Sequence, residues 1–187
     1  MERNSQSIGV QPVNRWRMVR WGVAVLLLIT PLVAMRFTDE VVWTLSDFIF
    51  AGFLLFGSLG AYEAAVRMTG DGAYRAGAGL AIGTAFLMTW VNAAVGITDS
   101  EADVLYLGVV VLGIVGALVA RFRPAGMATA MFVAALATGS VGLIALLAGL
   151  VPEYNSGIEI LGITGFFVVL WGGSALLFRE ATQGHKS

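Results

Sequence analysis

Glu63 and Arg67 stand four residues apart near the end of an apolar, alanine-rich segment. On a helix that spacing stacks the two side chains, with the carboxylate N-terminal to the cation, the more favourable order for an ion pair. A carboxylate so placed serves either as half of an interfacial ion pair or as a protonatable group at the inner mouth of a pathway. Asn92, next to Trp90 and Val91, is an amide inside another apolar run, so it needs a partner: a neighbouring helix, or a solute. Ser58 and Ser140 lie in the glycine-flanked runs Gly57-Ser58-Leu59-Gly60 and Gly139-Ser140-Val141-Gly142. A serine becomes a nucleophile only beside a base, and the single histidine, His185, and single lysine, Lys186, are at the far C-terminus. Cysteine is absent. Thiolate chemistry, disulfides, His or Cys metal centres, a Schiff-base lysine inside the apolar part and a Ser-His triad therefore all lack their residues, and no cofactor is expected.

The elements that carry these groups follow from composition. Of 187 residues, 58% are hydrophobic and 12% charged, about half the charge of a soluble domain, and mean hydropathy is +0.84. Disorder, a collagen-like repeat and a nucleic-acid-binding arm are excluded. A spanning helix needs about 20 apolar residues, and reading between charges gives six: 21–35, 48–66, 76–97, 104–120, 125–151 and 160–178. An all-α integral membrane bundle of six transmembrane helices is expected, with tails 1–20 and 179–187. The first stretch, short and preceded by arginines, has the outline of a secretory signal, but Val33-Ala34-Met35 is a poor cleavage site, so a retained span is expected. Ten of the eleven basic residues fall before the first span, in the second-third and fourth-fifth loops, or at the C-terminus; only Arg36 falls on the other side. Basic residues are retained in the cytoplasm, which places both termini there.

The opposite loops hold Asp39, Glu40, Asp47, Asp99, Glu101, Asp103, Glu153 and Glu159, eight of the twelve acidic residues. That outer acidic rim is either a solvated surface or a mouth that concentrates cations; nothing in it has EF-hand spacing. Gly79-x-x-x-Gly83 and Gly116-x-x-x-Ala120 suit close helix packing inside the bundle, with a dimer face the alternative. Trp16, Trp21, Trp43 and Tyr106 read as interfacial anchors, and Trp90 and Trp171 as packed residues. Three matches recur in order at similar spacing: Arg36-Phe37 with Arg121-Phe122, Gly57–Gly60 with Gly139–Gly142, and Phe86-x-x-x-Trp90 with Phe167-x-x-x-Trp171. A true repeat of three spans would be inverted and would make the two glycine runs the places to look for a helix break and a site.

Arg36-Phe37-Thr38-Asp39-Glu40-Val41-Val42-Trp43 leading into Asp47-Phe48, Trp90-Val91-Asn92 with Gly96-Ile97, and Ala120-Arg121-Phe122-Arg123-Pro124 with Met127 together resemble a group of small, uncharacterised multi-span inner-membrane proteins of bacteria. The resemblance runs from about the first span to the sixth. It implies a multi-pass location in the bacterial inner membrane and supplies no catalytic residues.

The expectation is a non-catalytic membrane protein whose partners are the lipid bilayer and, if any, a second copy or a partner membrane protein, with no nucleic acid. The alternative is a small cation or solute permeation unit using Glu63 and Asn92, with Ser58 and Ser140 on a polar pathway. A membrane enzyme ranks last.

Overall fold

The computed structural model describes residues 15–98, 102–150 and 157–184, with side chains from Arg17 onward. Among the described residues the chain is all helical: α1 (Arg15–Ala34), α2 (Leu45–Met68), α3 (Gly72–Ala94), α4 (Asp103–Val119), α5 (Pro124–Leu147) and α6 (Gly157–Gly184). Five of these are long and apolar enough to cross a membrane, and α4, with 17 residues, is the shorter sixth.

Local chemistry fixes the boundaries. Thr44 and Asp47 cap α2: the Asp47 carboxylate accepts from the Thr44 backbone N–H and from its hydroxyl, each at 2.7 Å, the reciprocal half of a capping box. Asp71 caps α3 by accepting from Tyr74 N at 2.8 Å. Pro124 opens α5 at a position where its missing N–H costs nothing. Two ends fall short of the sequence reading. The third span, expected to reach residue 97, ends at Ala94 because Gly96 turns left-handed (φ 74°). The fifth, expected to reach 151, ends at Leu147, where Gly149 (φ 67°) turns the chain back and Leu150 N donates to Ala145 O. Residue 151 itself lies outside the described residues.

The chain divides into two compact units, Met1–Leu59 and Gly60–Ser187, with α2 contributing to both. In the first, α1 and the opening turns of α2 run antiparallel, with Trp21 stacked on Phe56 at 5.8 Å and Leu28 against Gly52. In the second, α3 to α6 alternate in direction. The Tyr74 hydroxyl at the start of α3 donates to Phe122 O in the α4–α5 turn at 2.7 Å, and Tyr74 packs edge-on against Phe178 near the end of α6. Asn92, near the other end of α3, reaches the start of α4.

The interior combines small residues with a few large side chains: Ala78, Ala134, Ala145 and Ala175 are buried, as are Thr84, Thr138 and Ser174, beside Met88, Tyr106, Phe167, Trp171 and Phe178. Large aliphatics face outward, among them Val111, Leu118, Leu143, Leu147 and Val169. Lipid gives apolar side chains no reason to hide, so helices associate where small residues let backbones approach. The Gly116-x-x-x-Ala120 motif does this internally. A Cβ added at Gly116 would lie 2.8 Å from Ala130 Cβ, and one at Gly126 would lie 2.7 Å from Ala120 Cβ. The two pairs form one antiparallel ladder between α4 and α5. The tightest approach is between α5 and α6, where a Cβ at Gly142 would meet Thr164 Cγ2 at 2.6 Å and Oγ1 at 2.7 Å.

Buried hydroxyls are hydrogen-bonded within and between helices. Ser174 donates to Gly77 O at 2.8 Å, linking α6 to α3, and Tyr106 and Thr164 share a 2.8 Å bond linking α4 to α6. Thr84 and Thr138 donate back to Leu80 O and Ala134 O of their own helices. Tyr106, expected as an interfacial anchor, is instead fully buried in the core. Its side of α4 meets α6, a fact that hydropathy alone does not encode.

Candidate functional site

The polar groups singled out by sequence fall at two junctions. At the first, α2 hands over to α3. Glu63 is 8% exposed and accepts from Arg67 Nη2 at 3.3 Å, one helical turn on, while the Arg67 side chain is 65% exposed. Such a partly solvated i,i+4 pair contributes a few tenths of a kcal/mol. Arg75, one turn into α3, reaches back across the turn and donates to Val66 O (3.1 Å) and Thr69 O (2.9 Å). It thereby satisfies carbonyls that end α2 and places a cation at the negative end of that helix dipole.

The second junction is the α3–α4 turn. Asn92 Nδ2 donates to Asp103 O at 2.8 Å, and Asp103 Oδ1 accepts from Ile97 N (3.0 Å), Thr98 N (2.7 Å) and Thr98 Oγ1 (2.9 Å). Both Ile97 and Thr98 are buried. Asp103 is thus the organiser of this turn, and Asn92 the clasp that ties it to α3. Asn92 lies two residues from the end of α3 rather than five from the end of a span reaching 97.

These junctions do not share a site. Glu63 is on the Tyr74 side of the bundle, and Asn92 lies eighteen residues beyond Tyr74 on α3, about 27 Å along the axis. Ser58 is half-buried within α2, and Ser140 is exposed on α5, donating to Leu136 O of its own helix at 2.9 Å. Both helices run unbroken through Gly57–Gly60 and Gly139–Gly142, so neither glycine run makes the break an inverted-repeat site would use.

Nor do the acidic residues form one cluster. Asp39 and Glu40 are exposed between α1 and α2, Asp47 caps α2, Asp103 holds its turn, and Glu159 is exposed in the first turn of α6. Asp99, Glu101 and Glu153 lie outside the described residues. Among the described residues no three acidic or histidine side chains come together as metal ligands.

A concave feature of the second unit lies elsewhere. A cavity of about 450 Å³ lies between the last turns of α2, the first half of α3 and the second half of α4, floored by α5 and α6. Its walls are mainly alanines, including Ala61, Ala64, Ala65, Ala78, Ala81 and Ala117, and its floor is Met127, Met131 and Trp171. None of Glu63, Asn92, Ser58 or Ser140 lines it. Among the described residues the buried Trp171 indole N–H has no hydrogen-bond acceptor. The signal that could have found this cavity is the spacing of alanines in the second and third spans, where short side chains on facing helices leave volume unfilled.

No protein family, curated protein or solved structure matches the chain. The class rests on the fold itself: an all-helical chain whose helical apolar segments are consistent with a membrane protein.

Proposed function

We propose that the chain is a non-catalytic integral membrane protein that crosses the inner membrane of a bacterium six times, with both termini in the cytoplasm. The observation that carries this reading is where the polar groups go. Glu63, Asn92, Asp103, Tyr106, Thr164 and Ser174 all make bonds within or between helices, and the cavity they leave is apolar. A catalytic or solute-binding site would converge several of them on one polar space. Outward-facing aliphatics on the helices and the placement of ten of eleven basic residues support the membrane reading and the orientation. The 17 residues of α4 rise about 25 Å, short of the ~30 Å core, a deficit that snorkelling of Arg121 and local thinning can cover. The resemblance to small multi-span inner-membrane proteins of bacteria points the same way.

The permeation alternative needs Glu63 and Asn92 on one path, and their separation by about 27 Å along α3 weighs against it. Topology reporters decide the architecture: fusions in the Thr69–Asp71 turn and after Ser187 should read cytoplasmic, and one between α3 and α4 periplasmic. A periplasmic reading at Ser187 would refute six spans. Proton-coupled cation uptake in proteoliposomes that Glu63→Gln abolishes would overturn the non-catalytic, non-transporting reading and restore the alternative.

A further inference from the structure

We propose that the alanine-walled cavity holds one acyl chain of an anionic phospholipid from the cytoplasmic leaflet, its headgroup against the arginines at the cavity mouth. The proposal rests on the membrane reading and orientation above.

Depth comes first. The lining along α3 runs from Tyr74 to Ala85, and along α4 from Val110 to Leu118, with Phe122 of the following turn beyond it. Those stretches rise about 16 Å and about 12 Å. The first is close to half the ~30 Å hydrocarbon core, the depth of a single leaflet. A volume of about 450 Å³ falls within the range of ligand pockets.

Access is from the side. The floor is closed, Trp171 and Met131 each being 2% exposed, whereas Ile114 and Leu118 on the α4 wall are 55% and 58% exposed. Those two face where lipid lies. Water filling such a space would find almost no polar partner, and apolar cavities of this kind stay dry. In a bilayer the filler at hand is an acyl chain.

Charge selects the lipid. Met68 and Phe122, both exposed, rim the cavity at the α2–α3 and α4–α5 end. Arg67 directly precedes Met68, and Arg121 and Arg123 flank Phe122; all three arginines are exposed. Glu63 partly offsets Arg67, which leaves Arg121 and Arg123 as the cations free of an acidic neighbour in their own turn. A phosphate and its acyl chain would be engaged together, the first by these arginines and the second by the alanines beneath.

The test uses the full-length protein in vesicles of equal phosphatidylglycerol and phosphatidylcholine, released into detergent and weighed by native mass spectrometry. One phosphatidylglycerol per chain should be retained, favoured over phosphatidylcholine by about thirtyfold, the scale of two arginines acting on one anionic headgroup. Ala117→Phe on α4 and, separately, Ala64→Phe on α2 fill the cavity and should lose the bound lipid. Arg121→Gln with Arg123→Gln should keep a lipid but lose the preference between the two. Circular dichroism identifies which filling variant retains native helix content, and the arginine pair, being at the surface, is readable in either case. Undiminished lipid in a folded filling variant would overturn the proposal. So would a lipid-free dimer that Ala117→Phe separates, since a second copy would then be the occupant. A chain that stays in solution without detergent would instead sink the membrane reading itself.

Discussion

Gly142→Ala is the sharpest test of how this bundle holds together. A methyl group there would sit 2.6 Å from Thr164 Cγ2 and 2.7 Å from Thr164 Oγ1, about 1 Å inside the usual carbon contact distance. Thr164 cannot simply rotate away, because its hydroxyl is bonded to Tyr106 at 2.8 Å in the core. Either α5 and α6 separate or that bond breaks. Overpacking costs about 1 to 3 kcal/mol, and losing the hydroxyl pair adds about 0.6 kcal/mol on the scale measured inside membranes. A helix-propensity gain of up to about 1 kcal/mol for replacing glycine opposes this. The expected net loss is about 0.5 to 3.5 kcal/mol, read as unfolding free energy by denaturant titration in detergent micelles. Two comparisons isolate the cause. Gly165→Ala, on α6 with nothing within 4 Å of its added methyl, should be neutral or slightly stabilising. Thr164→Ala should partly rescue Gly142→Ala, because only Cβ, 3.0 Å from the added methyl, then remains in its way, giving a favourable coupling in the double-mutant cycle. Equal stability of Gly142→Ala and Gly165→Ala would refute the claim that backbone approach at this crossing orders α5 against α6.

Asp103→Ala should cost about 2 to 4 kcal/mol, because it orphans the buried N–H groups of Ile97 and Thr98, whereas Asp103→Asn, which keeps an acceptor, should cost about 1 kcal/mol; equal losses in the same titration would mean the charge, not the acceptor, holds the turn. Arg121 and Phe122 both adopt left-handed backbone (φ 50° and 57°), so Arg121→Gly should raise stability by about 0.5 to 1 kcal/mol, and a loss in the micelle titration would show that the arginine side chain contributes more than the strain it sits on.

The helix positions were legible because charges, glycines and prolines bracket the apolar runs; α3 and α5 stop early where Gly96 and Gly149 turn left-handed, while α1, α2, α3 and α6 start three to six residues before the apolar runs and α6 continues six residues past 178 to Gly184. What faced what was not legible. In water a helix advertises its buried stripe by periodicity, but here both faces are apolar, so nothing in the sequence around Tyr106 distinguishes an interfacial ring from a core one. Asn92 stood out as needing a partner, yet that partner is a backbone carbonyl eleven residues on, reached only once the intervening turn has formed. Arg75 read as one more cytoplasmic charge, and its role in closing α2 depends on the geometry of three turn residues. The cavity escaped notice for a simpler reason: it is volume left unfilled by small side chains, and sequence records what is present.

The ladder between α4 and α5 joins residues six and fourteen apart, Ala120 with Gly126 and Gly116 with Ala130, whereas the bond from Ser174 to Gly77 spans ninety-seven. During synthesis the first can close as soon as α5 has emerged, because local contacts form with little loop entropy to overcome. The second waits for nearly the whole chain. Until α6 arrives, the α3 and α5 faces it will cover stand uncovered. Among the six described helices α6 is therefore the one whose arrival completes the packing of α3 and α5, and a chain cut before Gly157 would lack the face that joins them.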